Sequence, residues 1–337
     1  MKVQKLIHIG FGKTGTSKLQ KDVFPLLCKK LNFLYVGDEY RSQELQVLKI
    51  KRDLTSHVFK TMLGKKVKKI NIPDNILISW EELSSYRDAS LIDEFAEKNL
   101  EAFGKDAHIL LTIREPRQWL SSVYLQLCMH ETPIQRPEDF FLTEENYSER
   151  LPNVKFNISK FSYNKIIKSY TDRFDNVIIA KYENLYTLEF LEKIFSLNET
   201  ELNDLQNNFK KGTVNKAFSK NSVSLRTKLS KLWNHFGFSH IPKYSNKIML
   251  ERSSDDYANN EIIIKKNSAY IRGVNKIYDK KKFSFFNWKN IYQKFINNFF
   301  EYEKFLLNFE KLNYIPINEL ENEYKEIKNL VIINKDK

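Results

Sequence analysis

Ile7-His8-Ile9-Gly10-Phe11-Gly12-Lys13-Thr14-Gly15-Thr16-Ser17 passes from an apolar run, through a glycine-rich turn, into the start of a helical pattern. Glycine lets the backbone curl until several N–H groups converge on one anion. A helix N-terminus adds unpaired donors and the positive end of a dipole. Gly12 and Gly15 supply the backbone freedom, Lys13 a full charge, and Thr14, Thr16 and Ser17 hydroxyl donors. Together they read as a phosphate-binding strand–loop–helix unit. The nucleoside triphosphatase loop G-x-x-x-x-G-K-S/T fits only at its end, because its first glycine would fall at Ile7.

Outward from this loop, short apolar runs alternate with helical spacing. Strands are expected at Leu6–Ile9, Phe33–Val36, Asn75–Trp80, His108–Ile113 and Val177–Ala180. Helices are expected at Thr16–Leu31, Ser42–Leu63, Leu91–Phe103, Pro116–Met129 and Phe161–Phe174. Such alternation implies an α/β fold with a parallel sheet covered by helices on both faces, and ligands beyond the carboxyl ends of the strands. The second half reads as mostly helical, at Val223–Phe236, Trp288–Phe309 and Ile317–Leu330, with loops at Lys210–Asn221 and Lys243–Asn260. The expected division is an α/β core over 1–220 and a mostly helical region over 221–337 packed on it.

A second signal lies at Arg114-Glu115-Pro116-Arg117. Arg114 ends an apolar strand at the ligand edge, and Ser122 follows about two helical turns on, where it can face the same edge. A guanidinium and a hydroxyl placed so can clamp a phosphate.

The 337 residues, 42% hydrophobic, suffice for a sizeable core. The formal charge of +13 favours anionic partners, although the lysine, asparagine and isoleucine content also fits a composition bias. No arginine-rich segment or zinc-ligand spacing marks a nucleic-acid module, so no nucleic-acid partner is expected. No metal-ligand cluster is evident either. Two cysteines, Cys28 and Cys128, cannot build a disulfide framework and read as buried thiols in a reducing compartment. The N-terminal apolar run is too short for a signal peptide, and no later run is long enough to span a membrane. The expectation is a cytoplasmic protein, or a soluble part of something larger. Oligomeric state is not legible.

Lys13-Thr14-Gly15-Thr16-Ser17 resembles the K-S/T-G-S/T-S/T loop of the sulfotransferases that use 3′-phosphoadenosine 5′-phosphosulfate, among them bacterial carbohydrate sulfotransferases. Arg114-Glu115-Pro116 with Ser122 resembles that family's 3′-phosphate-binding unit, and Tyr182-Glu183-Asn184-Leu185 its late strand ending in Tyr-Glu-x-Leu. Gly212-Thr213-Val214-Asn215-Lys216 loosely resembles the loop that closes over the nucleotide. The likeness spans roughly residues 4–200. It implies a P-loop-like sulfotransferase fold and a metal-free transfer of a sulfuryl group to a hydroxyl or amine of a carbohydrate or glycan, with 3′,5′-bisphosphoadenosine as product. It assigns donor binding to Gly12, Lys13, Thr14, Gly15, Thr16, Ser17, Arg114, Ser122, Asn215 and Lys216. The family's base lies near the end of the third strand or in the turn after the second. Glu81 is the first choice there and Glu39 the second, with Glu82 and Asp38 behind them; Lys13 supports the leaving charge. His8, mid-strand, reads as packed.

Two other readings stand beside this one: a P-loop small-molecule kinase, which needs Mg²⁺ and an Asp at a strand end, and a non-catalytic nucleotide- or glycan-binding protein. At the C-terminus, Lys280-Lys281-Lys282-Phe283 leads to Phe295, Phe299, Tyr302, Leu306 and Phe309 at helical spacing. Such a stripe is ordinarily core, but it is also the pattern of a helix lying on a membrane surface, which would suit a lipid-linked acceptor.

Overall fold

The computed structural model describes residues 3–37, 44–128, 136–143, 156–158, 160–211, 223 and 305–335. Its centre is a six-stranded sheet in the order β2-β3-β1-β4-β7-β8. The strands are β1 (Lys5–His8), β2 (Leu34–Gly37), β3 (Ile76–Ser79), β4 (His108–Ile113), β7 (Asn176–Lys181) and β8 (Leu330–Asn334). The first five are mutually parallel, and β8 pairs antiparallel with β7. A separate parallel pair joins β5 (Phe141–Leu142) to β6 (Phe156–Asn157). The protein is therefore α/β, with a mostly parallel sheet between helices.

Each sheet face buries its own cluster. On one face Ile7, Ile78, Ile109, Leu111 and Ile179 pack with residues of α3 (Leu45–Met62), α4 (Ile92–Phe103), α5 (Pro116–Cys128) and α7 (Tyr163–Thr171). On the other, Leu6, Leu77, Leu110 and Ile178 pack with the turn Leu19–Val23 that follows α1 (Thr16–Lys18), and with α2 (Phe24–Leu31), α8 (Glu189–Phe195) and α9 (Glu199–Lys211). Near-continuous aliphatic strands are what burial on both faces requires. The chain leaves β1 toward β2 across the second face and leaves β4 toward β7 across the first. The connections after these adjacent strands thus diverge, opening a crevice beyond their carboxyl ends.

The expected helix Thr16–Leu31 is continuous but changes pitch, with a π turn at Leu19–Val23 between α1 and α2. Pro25 is the physical reason, since it has no N–H for the carbonyl four residues back. Asn32, at φ 56°, caps the end in the left-handed conformation.

The C-terminal expectations need correction. The helix expected over Ile317–Leu330 stops at Glu326, forming α10 (Ile317–Glu326), and Leu330–Asn334 is a strand. Leu330-Val331-Ile332-Ile333 lies along the otherwise unpaired edge of β7, whose ladder groups it satisfies. Residues 305–309 are not helical either. Phe309 is buried while Leu306 is 49% exposed, so these two do not share an inward helical face. Phe305 instead stacks on Tyr124 of α5, at 6.2 Å between ring centres. The expected loop at Lys210–Asn221 begins inside α9, which reaches Lys211. The rest of that loop, the loop Lys243–Asn260, the helix expected after Val223, and Trp288–Phe309 before residue 305 lie outside the described residues. So do Lys280–Phe283, Phe295, Phe299 and Tyr302. Among the described residues no helix is long and apolar enough to cross a membrane. Cys28 is buried and unbridged, and burial pushes its thiol up to about 12.

Candidate active site

The glycine-rich loop leaves the carboxyl end of the central strand β1 and turns into α1. Its carbonyls are tied back to the body of the protein. The Trp119 indole Nε1–H donates to the Gly12 carbonyl at 2.9 Å, and Arg114 Nη1 donates to the Lys13 carbonyl at 3.1 Å. The Thr14 hydroxyl donates to the Phe11 carbonyl at 2.6 Å. Because a trans peptide sets C=O and N–H in opposite directions, holding the Gly12 carbonyl on Trp119 turns the Lys13 N–H away from that buried indole.

Lys13 takes φ 71°, the left-handed region that a non-glycine residue occupies only at a cost. Its side chain is half-buried and Ser17 is exposed, whereas Thr14 and Thr16 are buried. The Thr14 hydroxyl therefore braces the loop from within. Thr16 donates its hydroxyl to Glu81 Oε1. Gly12 has no room for a side chain: a Cβ there would lie 2.6 Å from the Tyr86 hydroxyl and 3.2 Å from Glu81 Oε2. Gly15 has φ 86°, and a Cβ would meet Leu185 Cδ1 at 2.8 Å and the Tyr182 ring at 3.1 Å. Leu185 is buried in the core, whereas Tyr182 is exposed. Gly15→Val is expected to lower stability by about 2–4 kcal/mol, from positive φ and overpacking together. Denaturant titration checks this, and an unchanged midpoint would contradict the packing described.

Arg114 follows β4, the neighbour of β1, so sheet register delivers it beside the loop. It is only 9% exposed. Its guanidinium lies over the Tyr182 ring at 4.3 Å and also donates to Gln118 Oε1 at 3.2 Å. Its Nε is buried without a hydrogen-bond partner among the described residues. An unpaired buried donor on a cation is costly, and an anionic oxygen would satisfy it. Ser122 is half-buried on α5 and is not among the hydrogen-bond partners of Arg114. Glu115 caps α5 by accepting from the N–H groups of Arg117 and Gln118, both at 2.9 Å.

Glu81 follows β3, the other neighbour of β1, and is half-buried against Thr16 and Gly12. Glu82 is exposed. The structure thus brings Gly12, Lys13, Thr14, Gly15, Thr16, Arg114 and Glu81 together at one sheet edge. Asp38, Glu39, Asn215 and Lys216 lie outside the described residues. Among those described, no three His, Cys, Asp or Glu side chains are grouped so as to hold a metal ion.

Sequence reasoning missed Trp119, Tyr86 and Tyr182. Tyr182 stood only in the late-strand motif, with no site role assigned, yet it follows β7 at the ligand edge and covers both Gly15 and Arg114. Position at a strand end was the available signal. Trp119 and Tyr86 offered none, since their contacts with Gly12 depend on the packed fold.

The fold and this loop define a class: an α/β protein whose central parallel strand opens into a P-loop-like strand–loop–helix unit. No protein-family model and no curated protein matches the sequence. Among solved structures the chain is similar to the genome packaging NTPase B204 from Sulfolobus turreted icosahedral virus 2 in complex with ATP-gammaS. The identity is 13%, over 63% of this chain and 88% of that chain, with a TM-score of 0.15. The same NTPase in complex with AMP gives 13% identity, 58% and 89% coverage, and a TM-score of 0.14. Likeness at that level carries no argument about this chain.

Proposed function

We propose that this protein is a sulfotransferase that moves a sulfuryl group from 3′-phosphoadenosine 5′-phosphosulfate to a hydroxyl or amine of a carbohydrate acceptor. The observation that carries the reading is Arg114: a nearly buried guanidinium with an orphaned Nε, hydrogen-bonded to the backbone of the Lys13 loop. A donor with a phosphosulfate and a separate 3′-phosphate asks for two anion sites on one edge, and the loop and Arg114 offer them. Lys13 and the loop N–H groups would hold the phosphosulfate, while Arg114, with Ser122 on the following helix, would hold the 3′-phosphate. When bound, the donor supplies an activated S–O bond, and the protein has little covalent chemistry to perform.

Glu81 would take the proton from the acceptor hydroxyl as the new O–S bond forms, while Lys13 stabilises the charge left on the departing phosphate oxygen. Both groups adjoin the same loop, as in-line displacement requires. The acceptor belongs on the open side of Glu81, and a lipid-linked glycan would reach it from a membrane surface. A cytoplasmic setting is part of the proposal, consistent with the buried, unbridged Cys28.

The test is to supply the donor with a panel of mono- and oligosaccharides in the presence of a chelator, and to follow release of 3′,5′-bisphosphoadenosine. Acceptor-dependent release supports the proposal. Consumption of ATP that requires Mg²⁺, with no turnover of the sulfated donor, would make the protein a kinase. Tight nucleotide binding without turnover on any acceptor would favour a binding protein.

A further inference from the structure

On the sheet face covered by Leu19–Val23 and α2, each of the three central strands changes from apolar to polar just below the loop: Leu6 to His8, Leu77 to Ser79, and Leu110 to Thr112. These polar residues are buried and joined. His8 Nδ1 lies 2.6 Å from Ser79 Oγ, and His8 Nε2 lies 3.2 Å from Thr112 Oγ1. Thr112 Oγ1 lies 2.7 Å from Thr14 Oγ1, and Gln20 Nε2 donates to Ser79 Oγ at 3.0 Å.

With a neutral imidazole at the centre, the direction of every bond follows from the two ends. The Phe11 carbonyl can only accept, so Thr14 donates to it and must accept from Thr112. Thr112 then accepts from Nε2–H of His8. The Gln20 amide nitrogen can only donate, so Ser79 accepts from it, and with the imidazole proton on Nε2 it donates to Nδ1. Every hydroxyl in the row donates once along it and accepts once. In a neutral imidazole this order places the single proton on Nε2. Burial, with the Phe24 ring edge-on at 5.3 Å, pushes His8 down to about 3, in keeping with that form.

We infer that His8 is a positioning residue, the fixed centre of a one-way hydrogen-bond chain that locks the loop at Thr14 to the strand ends carrying Glu81 and Arg114. Ser79 lies two residues before Glu81, and Thr112 two before Arg114, so the chain sets the register of all three site elements. Gly10 gives independent support: a Cβ there would lie 1.9 Å from Thr112 Oγ1 and 2.5 Å from His8 Nε2, clashing with both partners of their bond. The loop's first glycine is thus required by the chain, whereas Gly12 and Gly15 are required by the site. The functional half of the inference rests on the loop being the donor site proposed above.

The experiment has two arms. Nitrogen NMR of wild-type protein should show His8 protonated on Nε2 alone, unchanged from about pH 5 to about pH 8. A proton on Nδ1, or titration within that range, would overturn the inference. In the second arm, Thr112→Val keeps shape but breaks the chain, and Thr112→Ser restores it. At a temperature well below melting, calorimetry should find 3′,5′-bisphosphoadenosine bound about tenfold more weakly by the Val variant and within about twofold of wild type by the Ser variant. Wild-type affinity in a folded Val variant would overturn it, since a purely structural threonine would lower only the melting temperature. If wild-type protein binds no bisphosphate, the proposed function falls. Amide exchange at Thr14, whose N–H bonds to the Phe11 carbonyl at 3.3 Å, then decides the inference: faster in Val but not in Ser supports it, and no change overturns it.

Discussion

Replacing Lys13 with alanine is expected to lower sulfuryl transfer by about 10²–10³, the usual cost of removing one preorganised charge-stabilising group. The fold should survive. The side chain is half-buried, and alanine meets the same cost at φ 71° as lysine does. The melting temperature should therefore move by less than about 2 °C. Lys13→Gly separates charge from backbone, since glycine accepts the left-handed conformation freely yet lacks the ammonium. Both variants should be equally impaired. Normal turnover in either folded variant would remove Lys13 from the mechanism.

The second large effect is expected at Glu81. Glu81→Gln keeps an oxygen to accept from the Thr16 hydroxyl, so the loop should hold its shape. It cannot take a proton, and single-turnover transfer should fall by about 10²–10⁴. Bisphosphate affinity should stay the same or tighten, because a negative charge beside an anion site has been removed. Glu39→Gln belongs in the same measurement. If Glu39→Gln alone is inactive, the base lies in the turn after β2. If both variants turn over normally, neither carboxylate is the base, and the acceptor is an amine or arrives ionised.

How far the sequence led depends on how local each feature is. The strand at His108–Ile113 coincides with β4, and β1 to β3 lie within a residue of their expected ends, because aliphatic runs ended by Gly, Arg or Glu carry their own punctuation. Gly12, Lys13, Thr14, Gly15 and Thr16 are contiguous, and Arg114 and Glu81 each follow a strand, so topology alone delivers them to one edge. What the sequence could not show is long-range pairing. Trp119 reaches the Gly12 carbonyl across 107 positions, and Arg114 reaches the Lys13 carbonyl across 101. The same holds for β8: its aliphatic run is plain, but only the open edge of β7 makes it a strand instead of the end of α10. His8 looked like a packed residue and is buried, but its packing is polar, with partners from β3 and β4 and, through Thr112, the loop.

The C-terminal segment also reaches the site's supports, which no local pattern suggested. Glu321 pairs with Arg117 at 2.6 Å, Glu323 accepts from the Tyr163 N–H at 2.7 Å, and the Tyr324 hydroxyl donates to Glu183 beside Tyr182. Through Tyr163, whose hydroxyl donates to the Arg114 carbonyl at 2.6 Å, this contact ends at the proposed 3′-phosphate site.

The central claim is that one edge of the sheet holds two anions, with Arg114 the mark of the second. Thermal unfolding of the wild-type protein with 3′,5′-bisphosphoadenosine, ADP and ATP, each at the same concentration and without metal, tests it most directly. A ligand bound only by the native state raises stability in proportion to the logarithm of its binding. The account predicts a shift with the bisphosphate several times that with ADP, and loss of the excess in Arg114→Met. Equal shifts with the bisphosphate and ADP, or an excess that persists in Arg114→Met, would contradict it.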